Sequence, residues 1–150
     1  MLTIDPQSDL SSMVGESLGT GDWLTIDQTR IDAFAAATDD HQWLHTDPVK
    51  AATGPYGRTI AHGFLILALL PALASSALAI NGYTSVVNYG LNRVRFPAPA
   101  LVDSRVRDRL KLDSADAAPS GILLTLTHTV EVEGQDRPAC VAQQIRLLTR

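Results

Sequence analysis

The stretch from residue 60 to residue 80 is apolar at nearly every position and carries no Asp, Glu, Lys or Arg. A helix that is apolar around its whole circumference offers no face to water, so it must be covered on most sides. The stretch is also long enough to cross a bilayer. Several features argue against a span: His62 and Gly63 at its start, Pro71 in its middle, the Ser75-Ser76 pair, and flanks without the Lys/Arg asymmetry of an anchored helix. The expectation is a long buried helix over residues 63–78, with the rest of the chain built to enclose it.

The second half of the chain supplies the cover. There the hydrophobic period changes to two, which predicts strands over residues 85–89, 91–96, 104–112, 121–132 and 139–148. The clearest runs from Ile122 to Val132, where even positions are apolar except His128 and odd positions after Leu123 are polar. That is the pattern of a half-buried strand. Phe96-Pro97-Ala98-Pro99 interrupts the pairing and connects two strands.

Upstream, residues 1–21 read as an irregular lead-in, followed by a short strand at Trp23–Ile26. Asp27 is placed to cap a helix through Thr38, with Ile31, Phe34 and Ala35 on one face. Residues 40–45 read as a loop, and Asp47-Pro48 as the cap and first-turn proline of a short helix over residues 49–52. A strand, then helices, then consecutive strands make an α+β layer with an antiparallel sheet, in one domain over residues 1–150. One sheet cannot close around a helix, so two such units packed together complete the cover.

Composition narrows the function. The formal net charge is −4 with no block of like charges, which disfavours nucleic acid and anionic membrane surfaces as partners. The single Cys140 excludes an internal disulfide and suits a reducing cytoplasm. No basic, apolar leader opens the sequence.

The chemistry-bearing segment is Asp40-His41-Gln42-Trp43-Leu44-His45-Thr46-Asp47, followed by His62-Gly63 at the head of the apolar run. A carboxylate and an imidazole held together can share proton transfer. A Gly N–H at a helix start can polarise a carbonyl. These are the parts needed to add water across an activated double bond. His41 and His45 also have a spacing that can bind zinc from one helix face, but no Glu follows His41 and Pro48 begins a new helix, so no metal is expected. His128 reads as a satisfied core or interface histidine. Asp39 and Asp47 read as capping or solvated groups.

Together these residues resemble the MaoC-like branch of the hot-dog fold, which includes the (R)-specific enoyl-CoA hydratases, with the nodulation-protein-N-like dehydratases nearest in pattern. The resemblance rests on Phe34, the small residues after it, Asp40 through Asp47, His62-Gly63, and Asn92-Arg93-Val94-Arg95-Phe96-Pro97. Asp39 stands where a Gly is common, and Gln42 replaces the usual Asn. The resemblance implies a curved sheet wrapped around a central helix, with Asp40 and His45 as the catalytic pair and the Gly63 N–H as the oxyanion donor. It implies a trans-2-enoyl thioester of coenzyme A as substrate, hydrated by syn addition to the (R)-3-hydroxyacyl product. It implies no metal and no bound redox cofactor, coenzyme A entering as part of the substrate. A homodimer with the substrate at the subunit boundary is expected. Gln42, His62, Arg93, Arg95, Trp43 and Tyr56 are the candidate substrate contacts, the two arginines for the coenzyme A phosphates. The alternatives are a hot-dog thioesterase using the same Asp40, or a silent partner subunit of a dehydratase heterodimer, against which the intact Asp40–His45 pair argues.

Overall fold

The strands predicted from the period-two pattern form one mixed-length antiparallel sheet in the computed structural model, which describes residues 1–150. In chain order the elements are β1 (Leu2–Ile4), α1 (Leu10–Met13), β2 (Ser17–Thr20), β3 (Leu24–Ile26), α2 (Gln28–Thr38), α3 (Trp43–Thr46) and α4 (Pro48–Ala52). They continue as α5 (Gly63–Ala68), α6 (Leu70–Ala74), β4 (Leu78–Ile80), β5 (Ser85–Arg95), β6 (Ser104–Ala118), β7 (Gly121–Val132) and β8 (Cys140–Thr149). The main sheet has the order β2-β6-β7-β8-β5, with β3 also paired to β6 beyond β2. No helix is long and apolar enough to cross a membrane.

The inner face of this sheet packs on α5 and α6, giving the α+β layer expected. Around α5, Ile26, Ile31, Leu65, Ile66, Val106 and Val130 form one apolar cluster. Ile4, Leu18, Leu78, Leu110, Leu126 and Leu148 belong to a second. Fully burying each such side chain contributes about 1.5–3 kcal/mol before the entropy of ordering it is subtracted.

Four expectations are corrected. The apolar helix over residues 63–78 is not continuous: α5 and α6 meet at Leu69, and Leu78–Ile80 is a strand. Pro71 has no N–H to give the carbonyl one turn back, so the helical ladder weakens at this junction. Leu69 N–H still bonds Leu65 O at 3.0 Å and Leu73 N–H bonds Leu69 O at 2.9 Å, which keeps the two segments in line. Residues 1–21 are not irregular. β1 lies parallel to β4, α1 is capped by the Asp9 carboxylate, and β2 pairs with β6. Ile4 and Leu18 sit in the core, and pairing with strands distant in sequence organises segments too short to show a period. The strands expected at 85–89 and 91–96 are one, β5, carrying irregularities between Asn88 and Gly90 and between Leu91 and Arg93. Residues 40–45 are not all loop, since Trp43–Thr46 forms the helical turn α3.

Between the two apolar clusters the sheet carries a buried polar belt. Asp108 on β6, His128 on β7 and Gln144 and Arg146 on β8 are all buried. His128 Nδ1 lies 2.6 Å from Asp108 Oδ2, and its Nε2 lies 3.1 Å from Gln144 Oε1. Arg146 Nε donates to the same Gln144 oxygen at 2.8 Å, so that atom is the amide oxygen and His128 Nε2 must donate to it. Burial pushes the Asp108 carboxyl above the ordinary carboxylate range, against the opposing pull of His128 and Arg146. His128 is thus the satisfied core histidine that its strand position suggests.

Candidate active site

Three short elements bring the motif together. Asp27 caps α2 by accepting from Arg30 N–H at 2.8 Å, and the helix ends at Asp39 in a left-handed conformation, φ 57°. That residue reverses the chain and delivers Asp40 to the surface beside the buried His45 and His62. Asp47 caps α4 by accepting from Lys50 N–H at 2.9 Å, with Pro48 in its first turn. Between the two caps, α3 turns the His45 ring inward.

His45 is held on both sides. Its Nδ1 lies 2.7 Å from the carbonyl oxygen of Ile60, which can only accept. Nδ1 therefore carries the proton and Nε2 the lone pair in the neutral ring. Gln28 donates from Nε2 to the His45 carbonyl at 2.7 Å and accepts from the Thr59 hydroxyl at 2.6 Å, tying α2, α3 and the segment before α5 into one frame. Burial holds the His45 pKa below its ordinary value of 6.5. The Ile60 hydrogen bond and the Asp40 charge oppose this, and His62 adds to it. The ring is therefore neutral at physiological pH.

His62 is buried directly against it. The two imidazoles stack with centroids 3.8 Å apart and 25° between planes, and Phe34 tilts against His62 at 5.1 Å. His62 Nε2 donates to the backbone oxygen of Asp40 at 3.0 Å, while its Nδ1 is buried without a partner. One ligand-capable atom from each of Asp40, His45 and His62 falls within a 4.8 Å group. Imidazole lone pairs lie in the ring plane, and two planes so nearly parallel do not aim them at a common point. The group suits proton exchange better than the shared coordination of one ion. His41, the other half of the zinc spacing, is exposed and outside that group.

Gly63 opens α5, where a first-turn N–H has no acceptor within the helix. A Cβ there would lie 3.0 Å from Cγ and Cδ2 of Phe96, so the glycine also admits the Phe96 ring over the helix start. A cavity of about 270 Å³ is bordered by Gly63, Tyr56, Phe96, Pro97 and Pro99. Neither Asp40 nor His45 borders it.

The other sequence candidates fall in different places. Tyr56 lines the cavity. Trp43 does not; its ring packs where Gly54 lacks a side chain, 2.9 Å from an added Cβ, and beneath Lys50 Nζ at 4.8 Å. Gln42 begins α3 from an exposed position, and its backbone oxygen accepts from His45 N–H. Arg93 and Arg95 stand opposite Gln143 and Val141, on the face of the sheet turned away from α5. Gln28, Thr59 and Phe96 were not singled out by the sequence. Gln28 and Thr59 act through the backbone and through each other, which leaves no spacing to read, and Phe96 was legible only as part of a strand end.

The MaoC like domain family matches residues 9–133. The chain is 49% identical over 146 residues to 3-hydroxyacyl-thioester dehydratase Z of Mycobacterium tuberculosis, covering 97% of each protein. It is 45% identical over 144 residues to nodulation protein N of Rhizobium leguminosarum bv. viciae, covering 94% of this chain and 89% of that one. The solved structure of the (R)-hydratase from A. caviae involved in PHA biosynthesis superposes with a TM-score of 0.73 at 24% identity, over 90% of this chain and 96% of that one. The fold is thereby the hot-dog fold of these hydratases.

Proposed function

The chain belongs to the MaoC-like dehydratase family, and from that premise we propose that it is an (R)-specific enoyl-CoA hydratase, equally a 3-hydroxyacyl-CoA dehydratase in reverse. The observation that carries this reading is the fixed tautomer of His45. With Nδ1–H committed to Ile60 O, a neutral ring presents the Nε2 lone pair within the Asp40–His45–His62 group. The carboxylate and the imidazole hold a water between them.

The thioester oxygen accepts from the Gly63 N–H, which draws electrons toward it and makes C3 electrophilic. The water oxygen attacks C3. One water proton passes to the pair, and one proton returns to C2. The C3–O and C2–H bonds form as an O–H bond and the carbon–carbon π bond break, with no co-reactant needed. Both transfers come from one face, giving syn addition. The reaction runs without metal or redox cofactor, coenzyme A belongs to the substrate, and the protein works in the cytoplasm as a homodimer.

The edge strand β5 supports the dimer. Val86, Val87, Tyr89 and Leu91 are exposed large apolar residues on both of its faces, and Tyr89 is 63% exposed. A long apolar edge is a template for pairing with a second copy. In such a pair Arg93 and Arg95, facing away from their own α5, meet the phosphates of substrate bound to the neighbour.

Incubation with crotonyl-CoA and longer trans-2-enoyl-CoAs tests the reading. Loss of the conjugated-thioester absorbance with formation of (R)-3-hydroxyacyl-CoA is expected. Release of free thiol without a hydroxyacyl product would replace the hydratase with a thioesterase. A monomer by light scattering that keeps full activity would overturn the dimer.

A further inference from the structure

The turn that carries His45 cannot hold itself. α3 is four residues long, too short to be stable as an isolated helix, so the aim of its one inward ring depends on what grips the turn from outside. Beyond the stacked ring of His62, it is gripped by a backbone bond from Ile60 N–H to Leu44 O at 3.0 Å and by a side chain from another element, Gln28.

Gln28 opens α2, and both its amide hydrogens and its amide oxygen are engaged. Nε2 lies 2.8 Å from Asp32 Oδ1 and 2.7 Å from the His45 carbonyl oxygen. A carbonyl oxygen and an ionised carboxylate only accept, which fixes which end of the amide is nitrogen. The other end, Oε1, accepts from the Thr59 hydroxyl at 2.6 Å, and Thr59 is 1% exposed.

Thr59 immediately precedes Ile60, whose carbonyl takes the Nδ1 proton of His45 at 2.7 Å. The bonds therefore close a circuit: Gln28 to the His45 backbone, the His45 ring to Ile60, and Thr59 beside it back to Gln28. One amide holds both ends of the Nδ1–H···O bond, the backbone from which the ring hangs and the segment that offers the acceptor.

The circuit bears on chemistry through the tautomer. The Nε2 lone pair can take a proton only while the proton of the neutral ring stays on Nδ1. An imidazole released from its acceptor shares that proton between its two nitrogens, and in the Nε2–H form it is no base at Nε2. A catalytic histidine in the wrong tautomer loses much of its rate.

Resting on the hydratase reading, we infer that Gln28 is a positioning residue for the reaction, setting the tautomer and the aim of His45 through the hydrogen-bonded circuit with Thr59 and Ile60. It acts through the imidazole and not on the substrate.

The test uses three variants of the full chain. Gln28→Met keeps the length of the side chain and removes its amide, Thr59→Val keeps the shape and removes one leg of the circuit, and Thr59→Ser keeps that leg. Each is measured for kcat and KM with crotonyl-CoA, and for the ring-nitrogen NMR shifts of His45 at a pH where the ring is neutral, assigned by their absence from His45→Gln. In the wild type Nδ1 should be the protonated nitrogen. Gln28→Met should lower kcat by about 10–100-fold with KM changed less than about twofold, and should draw the two ring-nitrogen shifts together as the second tautomer fills. Thr59→Val should do the same to a smaller degree, and Thr59→Ser should match the wild type on both counts. If Gln28→Met does not fold, the Thr59 pair decides alone. Wild-type kcat in Gln28→Met would overturn the inference, and so would a lowered kcat with His45 still wholly Nδ1–H, which would leave Gln28 a merely structural residue. A wild type that does not hydrate crotonyl-CoA would remove the hydratase reading and the catalytic role with it, while the shifts, read without substrate, would still decide whether Gln28 holds the ring.

Discussion

His62 lies flat against His45, centroids 3.8 Å apart, and at the same time donates from Nε2 to the backbone oxygen of Asp40 at 3.0 Å. One buried ring thus sets the position of both members of the proposed catalytic pair. It also acts on the charge of one of them, since a neighbouring imidazole disfavours protonation of His45.

The pH dependence follows from that environment. His45 must be neutral to accept a proton, and its pKa is held below the ordinary 6.5, first by burial. The acid limb of kcat/KM should therefore fall below pH 6.5. The same shift has a consequence for stability. Between the folded pKa and 6.5 the unfolded chain binds more protons than the folded one, so stability from this group is fully present above 6.5 and is lost as pH falls through the folded value. An acid limb above 6.5 would show that a different group controls the rate.

His62→Gln keeps a donor for the Asp40 carbonyl but removes the ring against His45. A drop of about 10–100-fold in kcat is expected, with a smaller change in KM. A purely structural role would stop there. A positioning role predicts in addition that the acid limb moves upward, because the neighbour that disfavours His45 protonation is gone. Steady-state rates across pH, with folding checked by circular dichroism, separate the two.

Asp39 occupies φ 57°, where a side chain other than glycine's is strained, and its carboxylate accepts no hydrogen bond that would offset that strain. Asp39→Gly should stabilise the fold by roughly 1 kcal/mol. The urea midpoint should rise with the slope unchanged. A fall in the midpoint would mean that the carboxylate has a role the geometry does not show.

Gly21 stands at the opposite extreme. A Cβ there would lie 1.9 Å from the carbonyl oxygen of Leu73, while its N–H bonds Asp108 O at 2.8 Å. The link between β2 and β3 is clamped between α6 and β6, and neither backbone can yield cheaply. Gly21→Ala should cost about 3 kcal/mol, read by chemical denaturation; a loss under 1 kcal/mol would show that α6 moves aside easily.

Local signals in the sequence were reliable where a single residue carries the physics. Asp27 and Asp47 cap helices where their side chains can reach the first free N–H groups, and the alternation around His128 marked β7 and its buried face. Signals failed where the cause is tertiary. Ile4 and Leu18 belong to strands too short to show a period, defined only by their partners β4 and β6. Hydrophobicity alone did not distinguish a buried helix from the buried strand Leu78–Ile80 at its end. The motif placed Asp40 and His45 together, but the frame that fixes His45, Gln28 with Thr59 and Ile60 O, spans three separate segments and leaves no local trace.

Hydration as proposed requires Asp40 and His45 to act as one unit. Hydration of crotonyl-CoA by Asp40→Asn, His45→Gln and the double variant measures this directly, with melting temperatures matched to the wild type. Each single change should lower kcat by about 10²–10⁴ with little change in KM, and the double should be barely worse than the weaker single. Fully additive losses would contradict a shared proton-transfer unit. A His45→Gln variant with near-wild-type kcat would remove His45 from the reaction altogether.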